Sequence, residues 1–333
     1  MKNRVVTLLL LAATLAGTLS CGGGRRKAAA GELSGDITLS GAFALYPLAV
    51  KWAEEFRKLH PAVNIDISAG GAGKGITDVL SGVVDLGMVS REVYAPEIDK
   101  GAVPFAVAKD AVVPILNVEN PAIEQLLAKG LTREAATRLW IGGEDMTWGT
   151  LAASGERSAV HVYTRSDACG AAETFALWMG RKQEDLNGTG VFGDPGIAQA
   201  VQKDKLGVGY ANLSYAYDET TRQPNPGLAV YPLDVDGDGR IGPDENFYAT
   251  KDDVVAAIAD DRYPSPPARN LFLVTNGTPA KPEVVAFLKF ILTEGQKYNN
   301  PAGYIALADE LLQAGLTLLG ESAAQNPDST ATE

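Results

Sequence analysis

Three stretches of this chain combine glycine with small residues so as to leave backbone N–H groups open to an anion. They are Ser40-Gly41-Ala42-Phe43-Ala44, Gly70-Gly71-Ala72-Gly73-Lys74-Gly75 and Ser166-Asp167-Ala168-Cys169-Gly170-Ala171-Ala172. Where such a stretch joins a strand to a helix, the helix N-terminus supplies unpaired donors and the positive end of its dipole, and the small residues let an oxyanion approach. A single junction of this kind is equally well a structural turn. Three facing one cleft would form an oxyanion site. Arg165 directly precedes the third stretch and Arg91 follows Met88-Val89-Ser90. Either arginine offers a planar fork of donors suited to oxyanions or carboxylates, the plain alternative being a surface ion pair. Nucleotide binding is disfavoured, because Lys74 is followed by Gly75 rather than Ser or Thr, and Ile76 stands where G-x-G-x-x-G needs its last glycine.

A second pattern points to a cation. Residues 234–245 read Asp-Val-Asp-Gly-Asp-Gly-Arg-Ile-Gly-Pro-Asp-Glu, which fits the EF-hand calcium loop throughout. Asp234, Asp236 and Asp238 would give carboxylate oxygens, Arg240 its carbonyl and Glu245 two oxygens, with Gly239 at the sharp turn and Ile241 pinning the loop. Residues 228–233 read as a strand rather than an entering helix, and Pro243 interrupts the exit. A structural Ca2+ is therefore expected rather than a sensor site.

Nucleophilic catalysis is the rival chemistry. Cys169 at a helix N-terminus could act with His161 as base, but the two lie at opposite ends of a strand and turn and nothing orients the imidazole. With His60 as the only other histidine, no histidine-rich metal site is available. The reading is not an enzyme.

The junctions need strands and helices to hold them, and the chain supplies these in alternation, the pattern of an α/β protein with mainly parallel strands. Residues 36–40, 63–67 and 83–89 read as strands. Residues 47–59 read as a helix with Leu48, Trp52, Phe56 and Leu59 on one face, and 76–80 lie in a second helix ending near Gly82. The apolar runs 111–116 and 271–274 read as crossings between two lobes. No fixed-period repeat is present.

The chain has 333 residues, 46% of them hydrophobic, enough for a sizeable core. Lys plus Arg total 29 against 41 Asp plus Glu, and the net charge of −12 excludes a general polyanion surface, so no nucleic-acid partner is expected. Lys2 and Arg4 followed by the apolar residues 5–19 read as an export signal, too short to span a membrane. Cys21, followed by three glycines, resembles a lipobox cysteine, which would anchor an exported protein to the cell envelope by lipid alone. Residues 21–35 then read as a flexible tether, and Cys169 is left without a disulfide partner.

Residues 37–42, 52–56, 70–76 and 84–88 together resemble the phosphate-binding proteins that serve ABC importers. Trp148, Tyr163-Thr164-Arg165-Ser166-Asp167, Gly207-Val208-Gly209-Tyr210, and residues 287–296 with Ala302-Gly303-Tyr304 continue the resemblance to about residue 316. It implies an α/β, type II periplasmic-binding-protein fold whose two lobes close on an anion. Lobe 1 would hold residues 36–116 and 268–316, lobe 2 residues 117–267, and 317–333 a disordered tail. Carried over by position, the ligand contacts fall on Phe43, Ala44, Ala72, Gly73, Ser90, Arg91, Arg165, Asp167, Cys169, Gly170 and Ala171. Phe43, Ala72, Cys169 and Ala171 stand where the family has hydroxyls. Arg91 stands where it has the aspartate that accepts a proton from hydrogen phosphate. Loss of that carboxylate removes a basis for choosing phosphate over a fully ionised oxyanion. The resemblance implies a monomeric carrier delivering phosphate to permease and ATPase subunits. The alternatives are another anion, sulfate-like or a small carboxylate, or a calcium-stabilised surface protein without transport.

Overall fold

The computed structural model describes residues 31–324. The stretch expected to be an export signal, Cys21 and most of the expected tether lie outside the described residues, as do residues 325–333. Lobe 1 begins with β1 (Ser34–Gly41), α1 (Tyr46–Leu59), β2 (Ala62–Ala69), α2 (Ala72–Leu80), β3 (Leu86–Val89) and α3 (Ala95–Ile98). β1 lies between β2 and β3, parallel to both. Ser34 and Gly35 belong to β1 rather than to the tether. Pro47, in the first turn of α1, has no N–H to leave unpaired. Leu48, Trp52 and Phe56 are buried as their spacing requires, each contributing about 1.5–3 kcal/mol. Leu59 departs from that face and is exposed, because the helix ends there.

β4 (Ala102–Asn117) is a single strand of 16 residues shared by both lobes. Its first part pairs with the returning strand of lobe 1, while residues 112–117 pair in lobe 2. Ala111, Val112, Val113, Ile115 and Leu116 pack in the lobe 2 core. The first crossing therefore falls at Asp110–Ala111, earlier in the chain than the expected boundary after 116. The signal that misplaced it is plain: an apolar run reads the same whichever lobe buries it.

Lobe 2 continues with α4 (Ile123–Lys129), β5 (Leu131–Thr132), α5 (Arg133–Ala136), α6 (Trp148–Ala152), β6 (His161–Arg165) and α7 (Gly170–Trp178). There follow β7 (Thr189–Val191), α8 (Gly193–Lys203), β8 (Gly207–Asn212), α9 (Leu213–Ala216), β9 (Leu228–Val230), β10 (Leu233–Asp234) and α10 (Lys251–Ala259). β6 runs parallel to β7 and β8, and β8 runs antiparallel to β4. The chain returns through β11 (Ala268–Asn276), antiparallel to both β3 and β4, then α11 (Pro282–Leu292) and α12 (Asp309–Ala324). Each lobe thus has parallel outer strands, and the two crossing strands make the centre antiparallel. α12 carries the helix through residues 317–324, where a disordered tail was expected. Asp309 and Glu310 in its first turn complement the helix dipole.

The strand order β2-β1-β3-β11-β4-β8-β6-β7 lines up two halves, each with its own buried apolar cluster. The turns after β1, β2, β3 and β6 face one another where the clusters meet.

Candidate functional site

The three glycine junctions are strand-to-helix turns, and they converge. Gly41, with a φ of 132°, turns β1 toward α1, while Gly70 and Gly71 both donate to its carbonyl oxygen. Gly75 is held so close to Met88 and Ser40 that a Cβ would meet their carbonyl oxygens. This packs the first two turns together. Across the cleft, the Gly73 N–H donates to the Ala168 carbonyl at 3.2 Å, joining the second turn to the third. Gly170, the first residue of α7, lies directly against Ser90. Tyr94 Oη donates to Glu173 at 2.6 Å and Tyr215 Oη to the Phe43 carbonyl at 3.3 Å. These contacts join opposite lobes, so the arrangement is closed.

The N–H groups of Phe43, Ala44, Ala72, Gly170 and Ala171 have no acceptor among the described residues. They sit at turns and helix starts, where donors are left over by geometry, and they come from both lobes. Ser90 adds a buried hydroxyl beside them. The Phe43 side chain reaches lobe 2, its ring 5.6 Å from the Arg165 guanidinium and 6.0 Å edge-on from Phe192. The Ala44 carbonyl is held by Tyr304 Oη at 2.7 Å.

Arg165 is buried beneath this cluster and fully engaged. Nε and Nη2 bond the two oxygens of Asp167 at 2.8 and 2.5 Å, and Nη1 bonds Asp194 at 2.6 Å. Burial opposes its charge, but Asp194 and Asp167 overcome this and raise its pKa. Tyr210 fixes the strand end that carries it, accepting from the Arg165 N–H at 3.1 Å and pairing with Thr164 at 2.8 Å. Asp194 was not anticipated. The signal was available, since Gly193-Asp194-Pro195-Gly196 after β7 is a fourth glycine-rich strand-to-helix turn, and Gly193 donates to Asp167 at 3.1 Å.

Cys169 caps α7, its Sγ accepting from Ala172 at 3.4 Å. Burial pushes the thiol up to about 12, which leaves almost no thiolate at neutral pH. His161 is half-exposed and bonded to Asp204 at 2.7 Å, at the far end of β6. The two do not form a catalytic pair.

Among the sequence-assigned contacts, the Gly73 N–H is committed to the Ala168 carbonyl, the Cys169 N–H donates to Gln183 Oε1 at 3.0 Å, and Arg91 turns away altogether. Both its terminal nitrogens bond Glu97, at 2.9 and 2.7 Å, and its guanidinium stacks 4.2 Å from the centre of the Tyr94 ring. It borders a separate cavity of about 560 Å³ beside the crossing strands, shared with Lys109, Arg269, Leu177 and Leu311. An arginine already paired bidentately has little left for an anion. Arg91→Gln should therefore leave anion affinity within about threefold while lowering Tm by a few degrees, for a pair of about 1 kcal/mol. Titration calorimetry and thermal unfolding would check this, and a tenfold loss of affinity would place the guanidinium back in the site.

The acidic loop forms a second centre. Carboxylate oxygens of Asp234, Asp236 and Glu245 lie within 4.8 Å of one another. Gly237 and Gly239 adopt left-handed backbone there, with φ of 76° and 85°. Their N–H groups bond Asp234 at 2.7 and 3.0 Å. The Ile241 N–H bonds the Ala128 carbonyl at 2.8 Å, and β10 pairs with β5, so the loop is pinned to lobe 2. Burial, then the charges of Glu245 and Asp236, raise the Asp234 carboxyl. A cation would relieve that crowding, and an all-oxygen donor set suits a hard ion such as Ca2+. Asp238 stands apart from the convergent group, bonded instead to the Arg240 guanidinium at 2.8 Å.

Residues 27–294 match the model of the PBP superfamily domain. The chain is 29% identical over 314 residues to the phosphate-binding protein PstS of Pseudomonas aeruginosa, covering 87% of this chain and 89% of the relative. It is 26% identical over 226 residues to the phosphate-binding protein PstS of Bacillus subtilis, covering 66% and 73%. Among solved structures, it superposes on a putative phosphate ABC transporter substrate-binding protein from Clostridium perfringens with bound phosphate. The TM-score is 0.66 at 24% identity, covering 82% of this chain and all of the other.

Proposed function

The chain belongs to the PBP superfamily domain family, and from that premise we propose that it is an extracytoplasmic solute-binding protein that captures phosphate for ABC-type import. The observation that carries this reading is the set of N–H groups without acceptors, from Phe43, Ala44 and Ala72 in one lobe and Gly170 and Ala171 in the other, meeting around a closed cleft. Donors fixed before the ligand arrives need little reorganisation to hold an oxyanion. Each lobe contributes some of them, so an anion between the lobes stabilises closure. Arg165 pairs with Asp167 and Asp194 and offsets part of the negative charge that would otherwise repel it. Relatives named as phosphate-binding proteins support phosphate as the ligand. Titration calorimetry of the mature protein with phosphate is the test, and absence of binding would overturn the ligand.

One observation favours a broader anion range. Lobe 1 presents no carboxylate at position 91, and Asp167 is committed to Arg165. Without an acceptor for the phosphate proton, discrimination against sulfate weakens. The same titration with sulfate measures it.

The export signal and Cys21 support attachment to the cell envelope by lipid, with permease and ATPase subunits as partners. Among the described residues no helix is long and apolar enough to cross a membrane.

The loop at Asp234, Asp236 and Glu245 is proposed to hold a structural Ca2+. Removing a tightly bound ion should cost about 3 kcal/mol and lower Tm by about 5–10 °C. Thermal scans with chelator and with added calcium would show it. An unchanged Tm, or a chelator shift that survives Asp234→Ala, would remove calcium from this loop. Phosphate affinity should not follow the chelator, because the loop is anchored to β5 and α4 rather than to the cleft.

A further inference from the structure

Arg269 on β11 lies opposite Asp110 on β4, at the point where both strands pass between the lobes. In-register opposite charges on neighbouring strands are natural partners. Here the pair is not closed. The nearest approach is 3.6 Å, and both Asp110 oxygens and the Arg269 Nε are buried without a hydrogen bond. The guanidinium instead reaches into lobe 2. Nη1 donates to the Gly170 carbonyl at 2.7 Å and to Thr174 Oγ1 at 3.1 Å, and Nη2 donates to Asn212 Oδ1. Gly170 begins the helix whose N–H groups face the cleft. Asn212 Nδ2 in turn holds Asp194 at 2.7 Å, and Asp194 holds Arg165.

We propose that Arg269 is a positioning residue for anion capture, and that it exchanges Asp110 for the first turn of α7 as the lobes close. The proposal rests on the solute-binding reading above. In the closed arrangement Arg269 fixes the α7 donors and, through Asn212 and Asp194, the orientation of Arg165. Asp110 is then left without a hydrogen bond in the interior, which is costly for a carboxylate. Lys251 lies close enough to act on it electrostatically but donates to the Ala302 carbonyl at 3.1 Å. Burial pushes the Asp110 carboxyl up to about 6 against the pull of Arg269, the neighbouring Ala111 N–H and Lys251. When α7 moves away, the same guanidinium closes on Asp110. Each arrangement satisfies one partner at the expense of the other, which makes two states rather than a continuum.

The exchange predicts an unusual sign. Asp110→Asn removes the competing charge without changing side-chain size, so it should tighten phosphate binding by about 5- to 50-fold. It should also shrink the radius of gyration of the ligand-free protein in X-ray scattering. Arg269→Lys, which cannot span Gly170, Thr174 and Asn212 together, should weaken phosphate about tenfold or more and enlarge the ligand-free radius. A merely structural pair would lower Tm in both variants and weaken binding in both. Unchanged or weaker phosphate affinity in Asp110→Asn overturns the exchange, and so does unchanged affinity in folded Arg269→Lys. If the unaltered protein takes no phosphate, the ligand reading falls. Scattering then decides the exchange alone: a smaller radius for Asp110→Asn sustains it, and equal radii end it.

Discussion

Gly170→Ala should weaken anion binding by about 100-fold or more while leaving both lobes folded. Alanine is the better helix former, and Gly170 has no positive φ that a side chain would strain, so lobe 2 by itself has no reason to object. The difficulty lies in the other lobe. A Cβ at this position would overlap the carbonyl oxygen and Oγ of Ser90; the hydroxyl can rotate away, but the carbonyl belongs to the backbone of a buried residue just past β3. The lobes must therefore stop short of the closed contact. A displacement of about 1 Å between groups that must act together is enough for a loss of this size. Titration calorimetry read beside thermal unfolding separates the two effects. A Tm near that of the unaltered protein with lost affinity is expected; full affinity would mean that Gly170 and Ser90 need not meet for the ligand to be held.

Arg165→Met should be the most destabilising single substitution in the site. It keeps much of the volume and the contact with Phe43, but it leaves Asp167 and Asp194 facing each other in the interior with no cation between them. Removing one partner of a buried ionic group costs about 3–5 kcal/mol. For a chain with lobes of this size that corresponds to a fall in Tm of about 10 °C. Anion binding should vanish with it, because two uncompensated carboxylates would lie beside the donors. The double variant Arg165→Met/Asp194→Asn should recover part of the lost Tm, since the two positions share one interaction. Calorimetric unfolding of both variants is the measurement. Equal Tm values for single and double variants would mean that Asp194 contributes nothing through Arg165.

Much of this arrangement was readable from residue order. Glycine at 41, 71 and 73 marked turns where a Cβ or a long side chain would obstruct the approach of two segments, and those turns do meet. Apolar runs at 111–116 and 271–274 marked the two long strands that join the lobes, although each run lies inside one lobe and the strands cross just outside it, where Asp110 faces Arg269. What sequence order could not convey is where a charged side chain turns once folded. Arg91 and Arg165 look alike, each beside a strand end, yet one turns back to Glu97 six residues on and the other is gripped by Asp167 and by Asp194, 29 residues away. The partner of Arg269 illustrates the same point, since β11 and β4 meet only through the topology of the whole sheet. α12 extends past the boundary that the family resemblance implies. Leu311, Leu312, Leu316 and Leu319 recur at helical spacing, with acidic residues ahead of them, but the boundary at 317 follows the end of the family resemblance rather than that spacing.

Cys169 gives the closed fold a clock. Its thiol is buried at the start of α7 and its pKa is pushed far above neutrality, so a thiol reagent in solution meets it only during an excursion that uncovers the helix start. With reclosing faster than labelling, the rate at which the native protein is modified reports the population of those excursions. A ligand that draws the lobes together should slow the count in proportion to its own affinity, with no label added to the chain.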